Sequence, residues 1–342
     1  MPIYRADEPG LPGAPAWLRP YRPLLRQGDL QTIIARYWPA RWDEARFPTE
    51  SRFLSTDEGV RTLAKINRIG AGRTLLMVHG LTACSEARYM LSLAQRALES
   101  GFNTVRLNVR NCGGTEHLCP TLYHSGLTVD LRAAVEQLSD EPLYVLGFSM
   151  GGNMALKLAG EWGESPPAHV RGVCGVSVPI RLDLCSRRIG EFRNRVYEVR
   201  FLRQLRATLA LKKRLQPEIF AQIDGARSSS IWDFDHQVTA PAFGFQSAAD
   251  YYARASSAGF LERIRLPTLL IEAEDDPFIP WSVYAGDPAF GRNPYVHLAA
   301  TRHGGHVAFL SSQGPRFWAE EQALRFFETL DEGGGAVSPL PA

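Results

Sequence analysis

With 342 residues, 45% of them hydrophobic and 22% charged, the chain has the composition of an ordinary globular protein and the length of one large α/β domain or two small ones. A formal net charge of +2 speaks against a nucleic-acid partner, and no apolar run approaches the roughly 18 residues of a transmembrane helix, which argues against stable membrane insertion. Five scattered cysteines without a C-x-x-C pair suggest reduced thiols in a cytoplasmic setting, and the first residues lack the apolar core of a signal peptide.

Residues 1–16 are rich in Pro and Gly and are expected to lie extended over the surface. Residues 17–42 mix aromatic and aliphatic side chains with five arginines. Interruptions by Gly and Pro favour a helix packed on the domain edge, arginines outward, over an amphipathic membrane-facing segment. Residues 1–45 are therefore read as an N-terminal segment packed on the core. Runs 52–55 and 61–69 suggest a hairpin about Asp57-Glu-Gly59. Thr74–Val78 is a buried strand, 85–99 a helix, Thr104–Val109 a strand and Thr128–Leu138 a helix. Strand Val173–Val178 follows, and Thr268–Glu272, Val296–Ala299 and a helix near Phe317–Leu330 complete the alternation. Such alternation predicts a mostly parallel central sheet covered by helices on both faces. It breaks after Pro179, so 46–179 and 261–330 are read as the core and 180–260 as a helical lid insertion. Residues 331–342 read as a disordered tail.

The most informative stretch is Leu143–Leu158. An apolar run passes through Gly147-Phe-Ser149-Met-Gly151 into a helical pattern, which is the strand–turn–helix context that the G-x-S-x-G nucleophile elbow requires. The strained turn exposes the Ser149 hydroxyl, glycines keep strand and helix close, and the Met150 N–H at the helix start is free to face negative charge. A serine hydroxyl needs a base, and the base needs an acid to orient it. Both stand in loops after later strands. Ala273-Glu-Asp-Asp276-Pro supplies the acid, with Asp276 preferred and Asp275 and Glu274 as competitors. His303-Gly-Gly-His306 supplies the base, with His306 preferred to His303 because two glycines let its loop approach the elbow. The second oxyanion donor is assigned to the Leu81 N–H in His79-Gly-Leu-Thr82, with His79 bracing the loop.

Other chemistry fits less well. No zinc motif or P-loop is present, and Gly70-Ala-Gly72 precedes a strand where a dinucleotide loop would follow one, so no cofactor and no metal is expected. Cys112 is read as an inert thiol.

The elbow and the two loops, together with Gly28-Asp-Leu-Gln-Thr32, Arg110-Asn-Cys-Gly-Gly114 and Tyr123-His-Ser-Gly126, make the chain resemble the YheT-like, EMB8 and ABHD1/ABHD3 branch of the α/β-hydrolase superfamily. The resemblance runs almost end to end. It implies an α/β-hydrolase fold, a Ser149–Asp276–His306 triad, Leu81 and Met150 as oxyanion donors, and carboxylesterase activity; some animal relatives act on phospholipids. Asn111 departs from the pattern, where a small residue, usually Gly, is expected.

From Arg181 to Arg214 eleven basic residues face three acidic ones, a net of +8 with apolar residues interleaved. A lid helix with a solvated basic face is the preferred reading, and peripheral contact with an anionic membrane is the other. The sequence thus predicts a serine carboxylic ester hydrolase acting on a small acyl ester or a lipid. A phospholipase or lipase is the alternative within the enzyme class, and a catalytically silent binding scaffold the alternative outside it.

Overall fold

In the computed structural model, which describes residues 3–7, 15–40, 42–138 and 141–332, the apolar runs become strands of one sheet. In chain order these are β1 (Ile3–Arg5), β2 (Glu50–Asp57), β3 (Val60–Asn67), β4 (Thr74–Val78), β5 (Asn103–Asn108), β6 (Leu143–Phe148), β7 (Val170–Val176), β8 (Thr268–Ala273) and β9 (Val296–Thr301). Across the sheet the order is β1-β9-β8-β7-β6-β4-β5-β3-β2. Among the described residues, the strand pairs β2–β3 and β3–β5 are antiparallel and the other neighbouring pairs of the sheet are parallel.

A parallel strand covered on both faces must be apolar at every position, and β4 shows why. Leu76 and Val78 join Leu131 of helix α3 (Val129–Gln137) and Met154 and Leu156 of helix α4 (Met150–Trp162) in one cluster. Leu75 and Met77 point the other way, to Met90 and Leu93 of helix α2 (Arg88–Glu99) and to Phe326 and Phe327 of the closing helix Trp318–Glu332. The period-2 alternation of strand side chains thus feeds two separate cores.

Helix α1 (Gly28–Tyr37) lies before the first hairpin. Ahead of it, the N-terminal segment does more than run over the surface. Ile3 to Arg5 add a strand to the sheet edge in register with Leu298 to Ala300, a pairing too short to show in a Pro-rich stretch. Trp17 is buried edge-on against Phe326, and Tyr21 lies against Trp318. Between β7 and β8 the chain is a helical insertion, opened by α5 (Leu182–Ile189) and dominated by α6 (Arg195–Leu215). It includes one turn of π-helix, Asp235–Thr239. At the other end, Asp331 belongs to the closing helix instead of a tail, because it pairs with Arg73 and accepts a hydrogen bond from Tyr144. Residues 333–342, also read as tail, lie outside the described residues.

One buried carboxyl gives the core a pH dependence. Glu320 accepts from Ser92 Oγ at 3.0 Å and Arg96 Nε at 3.3 Å, yet burial pushes its pKa from 4.5 to about 7. The folded chain keeps this proton where the unfolded chain has released it, so the group's contribution is present below pH 4.5 and lost as pH rises towards about 7. Glu320→Gln removes the ionisation. In denaturant unfolding, the stability of the variant relative to wild type is expected to rise by about 2–3 kcal/mol between acidic and mildly alkaline pH. A difference independent of pH contradicts this.

Candidate active site

Ser149 stands between β6 and α4 with φ +52°, a conformation rare for a residue with a side chain and one that stores strain of about 1–3 kcal/mol. The elbow glycines make it possible. A Cβ on Gly147 would fall 2.2 Å from Gly151 O, and one on Gly151 would fall 2.5 Å from Val78 O. Strand, turn and helix are therefore in backbone contact, and the Ser149 side chain is lifted off the sheet.

The two later loops meet it there. His306 Nε2 lies 2.9 Å from Ser149 Oγ, and His306 Nδ1 lies 2.7 Å from Asp276 Oδ2. The Asp276 side chain is fully buried, and its other oxygen accepts from the Phe278 and Ile279 amides at 2.7 and 3.2 Å. A carboxylate so held can orient the ring with Nδ1–H towards the acid and Nε2 towards the serine hydroxyl. Phe278 lies over the imidazole at 4.6 Å between centroids, and Tyr197 and Phe201 of α6 pack edge-on against Phe278.

The competitors for these positions have other partners. Asp275 Oδ1 accepts from the Gly304 and Gly305 amides, both at 2.9 Å, and its Oδ2 accepts from His303 Nδ1 at 3.3 Å. Asp275 and His303 thus hold the loop that carries His306. Glu274 pairs with Arg5. Behind Asp276, Glu272 is completely buried at the end of β8, and burial together with the Asp276 carboxylate pushes its pKa well above the usual range.

Leu81 and Met150, whose amides are the expected oxyanion donors, line the same cavity as Ser149. Met150 is the first residue of α4, so its N–H has no intrahelical acceptor. Leu81 lies between two amides that are already engaged: Gly80 N–H donates to Tyr89 Oη at 3.0 Å and Thr82 N–H to Tyr123 Oη at 3.2 Å. Among the described residues, neither the Leu81 nor the Met150 amide donates to another group. His79 braces this loop from beneath: its Nε2 accepts from Val109 N–H at 3.3 Å and its Nδ1–H donates to Gly80 O at 2.8 Å. Burial lowers its pKa to about 4, so it is neutral, with both ring nitrogens engaged by backbone groups.

Several supporting residues carried no role in the sequence reading. Thr32 Oγ accepts the His306 amide at 2.8 Å, and Ser177 Oγ accepts the Val307 amide at 2.9 Å. Gly305, at φ +63°, sits so close to α1 that a Cβ would lie 2.4 Å from Gly28 O. The segment Gly28–Thr32 is thus the seat of the histidine loop. Asn111 adopts φ +61°, a conformation that glycine takes freely and Asn tolerates, so Asn can stand where Gly was expected; its Nδ2 donates to Thr121 O. Cys112 is buried, and burial pushes its thiol pKa well up, which leaves it un-ionised. Among the described residues all five cysteines are free, and no three His, Cys, Asp or Glu side chains gather as a metal-ligand set.

A cavity of about 110 Å³ opens at Ser149, His306, Leu81 and Met150 and runs beneath the insertion. Its wall is mostly apolar, with Leu182, Ile189, Phe201, Leu205, Ile231 and Phe234 contributed by the inserted helices. His124 in this wall is neutral, because burial lowers its pKa to about 3. The site therefore combines a serine–imidazole–carboxylate chain, two free amides and a greasy slot.

Comparison with known proteins follows this geometry. Residues 73–313 match the family model described as alpha/beta hydrolase fold. The chain is similar to the YheT protein of Escherichia coli (strain K12), 33% identical over 268 residues, which cover 75% of this chain and 77% of that one. It is similar to phospholipase ABHD3 of Mus musculus, 30% identical over 274 residues, covering 78% of this chain and 66% of the relative. Among solved structures, the esterase Pf2001 of Pyrococcus furiosus superposes with a TM-score of 0.56 at 19% identity, covering 85% of this chain and 98% of that one, a likeness of fold.

Proposed function

Since the chain belongs to the alpha/beta hydrolase family, we propose that it is a serine hydrolase of carboxylic esters working through an acyl-enzyme. The observation that carries this reading is the continuous chain from Ser149 Oγ through His306 to Asp276, with contacts of 2.9 and 2.7 Å. Ser149 Oγ attacks the acyl carbonyl carbon while His306 Nε2 takes its proton. Asp276 accepts the Nδ1–H bond and stabilises the imidazolium. The carbonyl oxygen becomes an oxyanion between the Leu81 and Met150 amides, where donors fixed by the fold need little reorganisation. Collapse breaks the ester C–O bond, and the alcohol leaves with the proton from His306. A water then repeats the sequence on the acyl-enzyme, releases the carboxylic acid and restores the serine O–H.

The apolar wall of the cavity favours an acyl chain over a polar substituent in that slot. A lipid ester is the form of this reading that the relatives named as phospholipases support, and no helix among the described residues is long and apolar enough to cross a membrane. p-Nitrophenyl esters of graded acyl length test the proposal. Turnover is expected, with a higher kcat/KM for medium acyl chains than for acetate. No turnover at any chain length would overturn it, and a silent scaffold would then be the better reading.

A further inference from the structure

The basic stretch after β7 poses a question that hydrolysis does not answer: where its cations go. Many are absorbed by the fold. Arg181 pairs with Asp183, Arg188 with Glu191, Arg193 with Asp29 and Arg195 with Glu198. Lys212 is buried and donates to the Glu116 and Cys119 carbonyls, and Arg206 donates to Ser228 O. A uniformly basic lid face is therefore not what the molecule presents.

Of the others, Arg187 lies over the Trp232 ring, Lys213 and Arg214 stand in the last turn of α6, and Arg200 and Arg203 stand in its first half. The start of α6 and the short 3-10 turn before it reach α1 through Tyr197 and Arg193, both of which hold the Asp29 carboxylate. Outward from this seam, Phe192 is 96% exposed, Val196 81% and Tyr37 69%. Val199 continues the α6 row one turn on, and Leu30 and Ile33 continue the α1 row; all three are also exposed. Val196 and Val199 share one face of α6, Leu30, Ile33 and Tyr37 share one face of α1, and Phe192 stands in the short 3-10 turn before α6; together these exposed side chains make an apolar strip beside the seam. Arg36 and Arg200 stand beside Tyr37, Arg26 precedes α1 and Arg203 follows Arg200 by about one turn on α6; among the described residues none of the four has an acidic partner within ion-pair distance. The nearest acids are neutralised: Asp29 by Arg193, Glu191 by Arg188 and Glu198 by Arg195.

We propose that the α1–α6 edge is a docking surface for an anionic lipid bilayer, with Phe192, Val196 and Tyr37 entering the headgroup boundary and the unpaired arginines meeting lipid phosphates. An apolar strip rimmed by cations is the pattern that binds such an interface, and the charge complementarity selects anionic lipid over a neutral surface. The position is also apt. The inner side of the same stretch of α6 sets Tyr197 and Phe201 on Phe278, which covers the His306 ring. One helix therefore faces the bilayer with its outer side and walls the cavity with its inner side.

Vesicle co-sedimentation of the full chain tests this. Binding to vesicles of phosphatidylglycerol and phosphatidylcholine in equal amounts is expected at low salt, with little binding to phosphatidylcholine alone and loss of binding at about 0.5 M salt. The double variant Phe192→Ser/Val196→Ser is expected to lose at least about tenfold in vesicle partitioning while hydrolysing a soluble p-nitrophenyl ester like wild type. Arg36→Glu/Arg203→Glu should weaken binding to anionic vesicles similarly. Ser149→Ala should bind as wild type does, so failure of the hydrolase reading leaves this result unaffected. Absence of binding to anionic vesicles, equal binding to neutral ones, or binding unchanged in both double variants overturns the proposal. So does a concentration-dependent dimer abolished by Phe192→Ser/Val196→Ser, which would make the strip a contact between copies.

Discussion

Ser149→Ala is expected to lower kcat for ester hydrolysis by about 10⁴- to 10⁶-fold with little change in KM, read by steady-state kinetics on a p-nitrophenyl ester. Only the oxygen at the centre of the chain is lost. Ala, like Ser, carries a Cβ at φ +52°, so the backbone strain of the elbow is unchanged and the variant should fold like wild type. The residual rate would come from the Leu81 and Met150 amides and from a water in place of the hydroxyl. A decrease of less than about tenfold would be incompatible with a covalent role for Ser149.

The second large effect separates two adjacent acids. Asp276→Asn is expected to cost about 10⁴-fold in kcat, because an amide facing His306 Nδ1 turns the ring to the wrong tautomer and cannot stabilise the imidazolium. Asp275→Asn keeps an oxygen for the Gly304 and Gly305 amides and should cost no more than about tenfold, as expected for a modest change in loop position. Parallel kinetics of the two variants with matching thermal melts make the comparison. Equal losses, or a greater loss in Asp275→Asn, would move the acid one residue back.

Ser149 was legible because three local signals coincide there: an apolar run, a glycine-flanked turn and a helical pattern. The two loops were legible as loops after strands, since polar residues at strand ends of a parallel sheet gather on one edge. The choice between Asp275 and Asp276 was less so. Both follow the same strand, and only three-dimensional packing decides which carboxylate reaches the imidazole and which holds the Gly-Gly turn. Glu272 shows the same limit: in sequence it ends a strand, and only its burial beside Asp276 reveals a carboxyl whose pKa is pushed up. The seat of His306 on Gly28–Thr32 joins residues about 274 positions apart, a contact that no periodicity announces. Strand β1 was missed because three residues in a Pro-rich segment carry no pattern of their own; the exposed edge of β9 supplies it. The charge of the insertion was correctly counted but not resolved, because pairing sorts its arginines into buried, paired and free ones.

The central claim is that Ser149 is the nucleophile. Incubation of the full chain with a fluorophosphonate followed by peptide mass spectrometry tests it most directly. A single adduct on the peptide containing Ser149, absent from Ser149→Ala and strongly slowed in His306→Ala, is the predicted result. An unmodified chain, or an adduct on another residue that persists in Ser149→Ala, would contradict it.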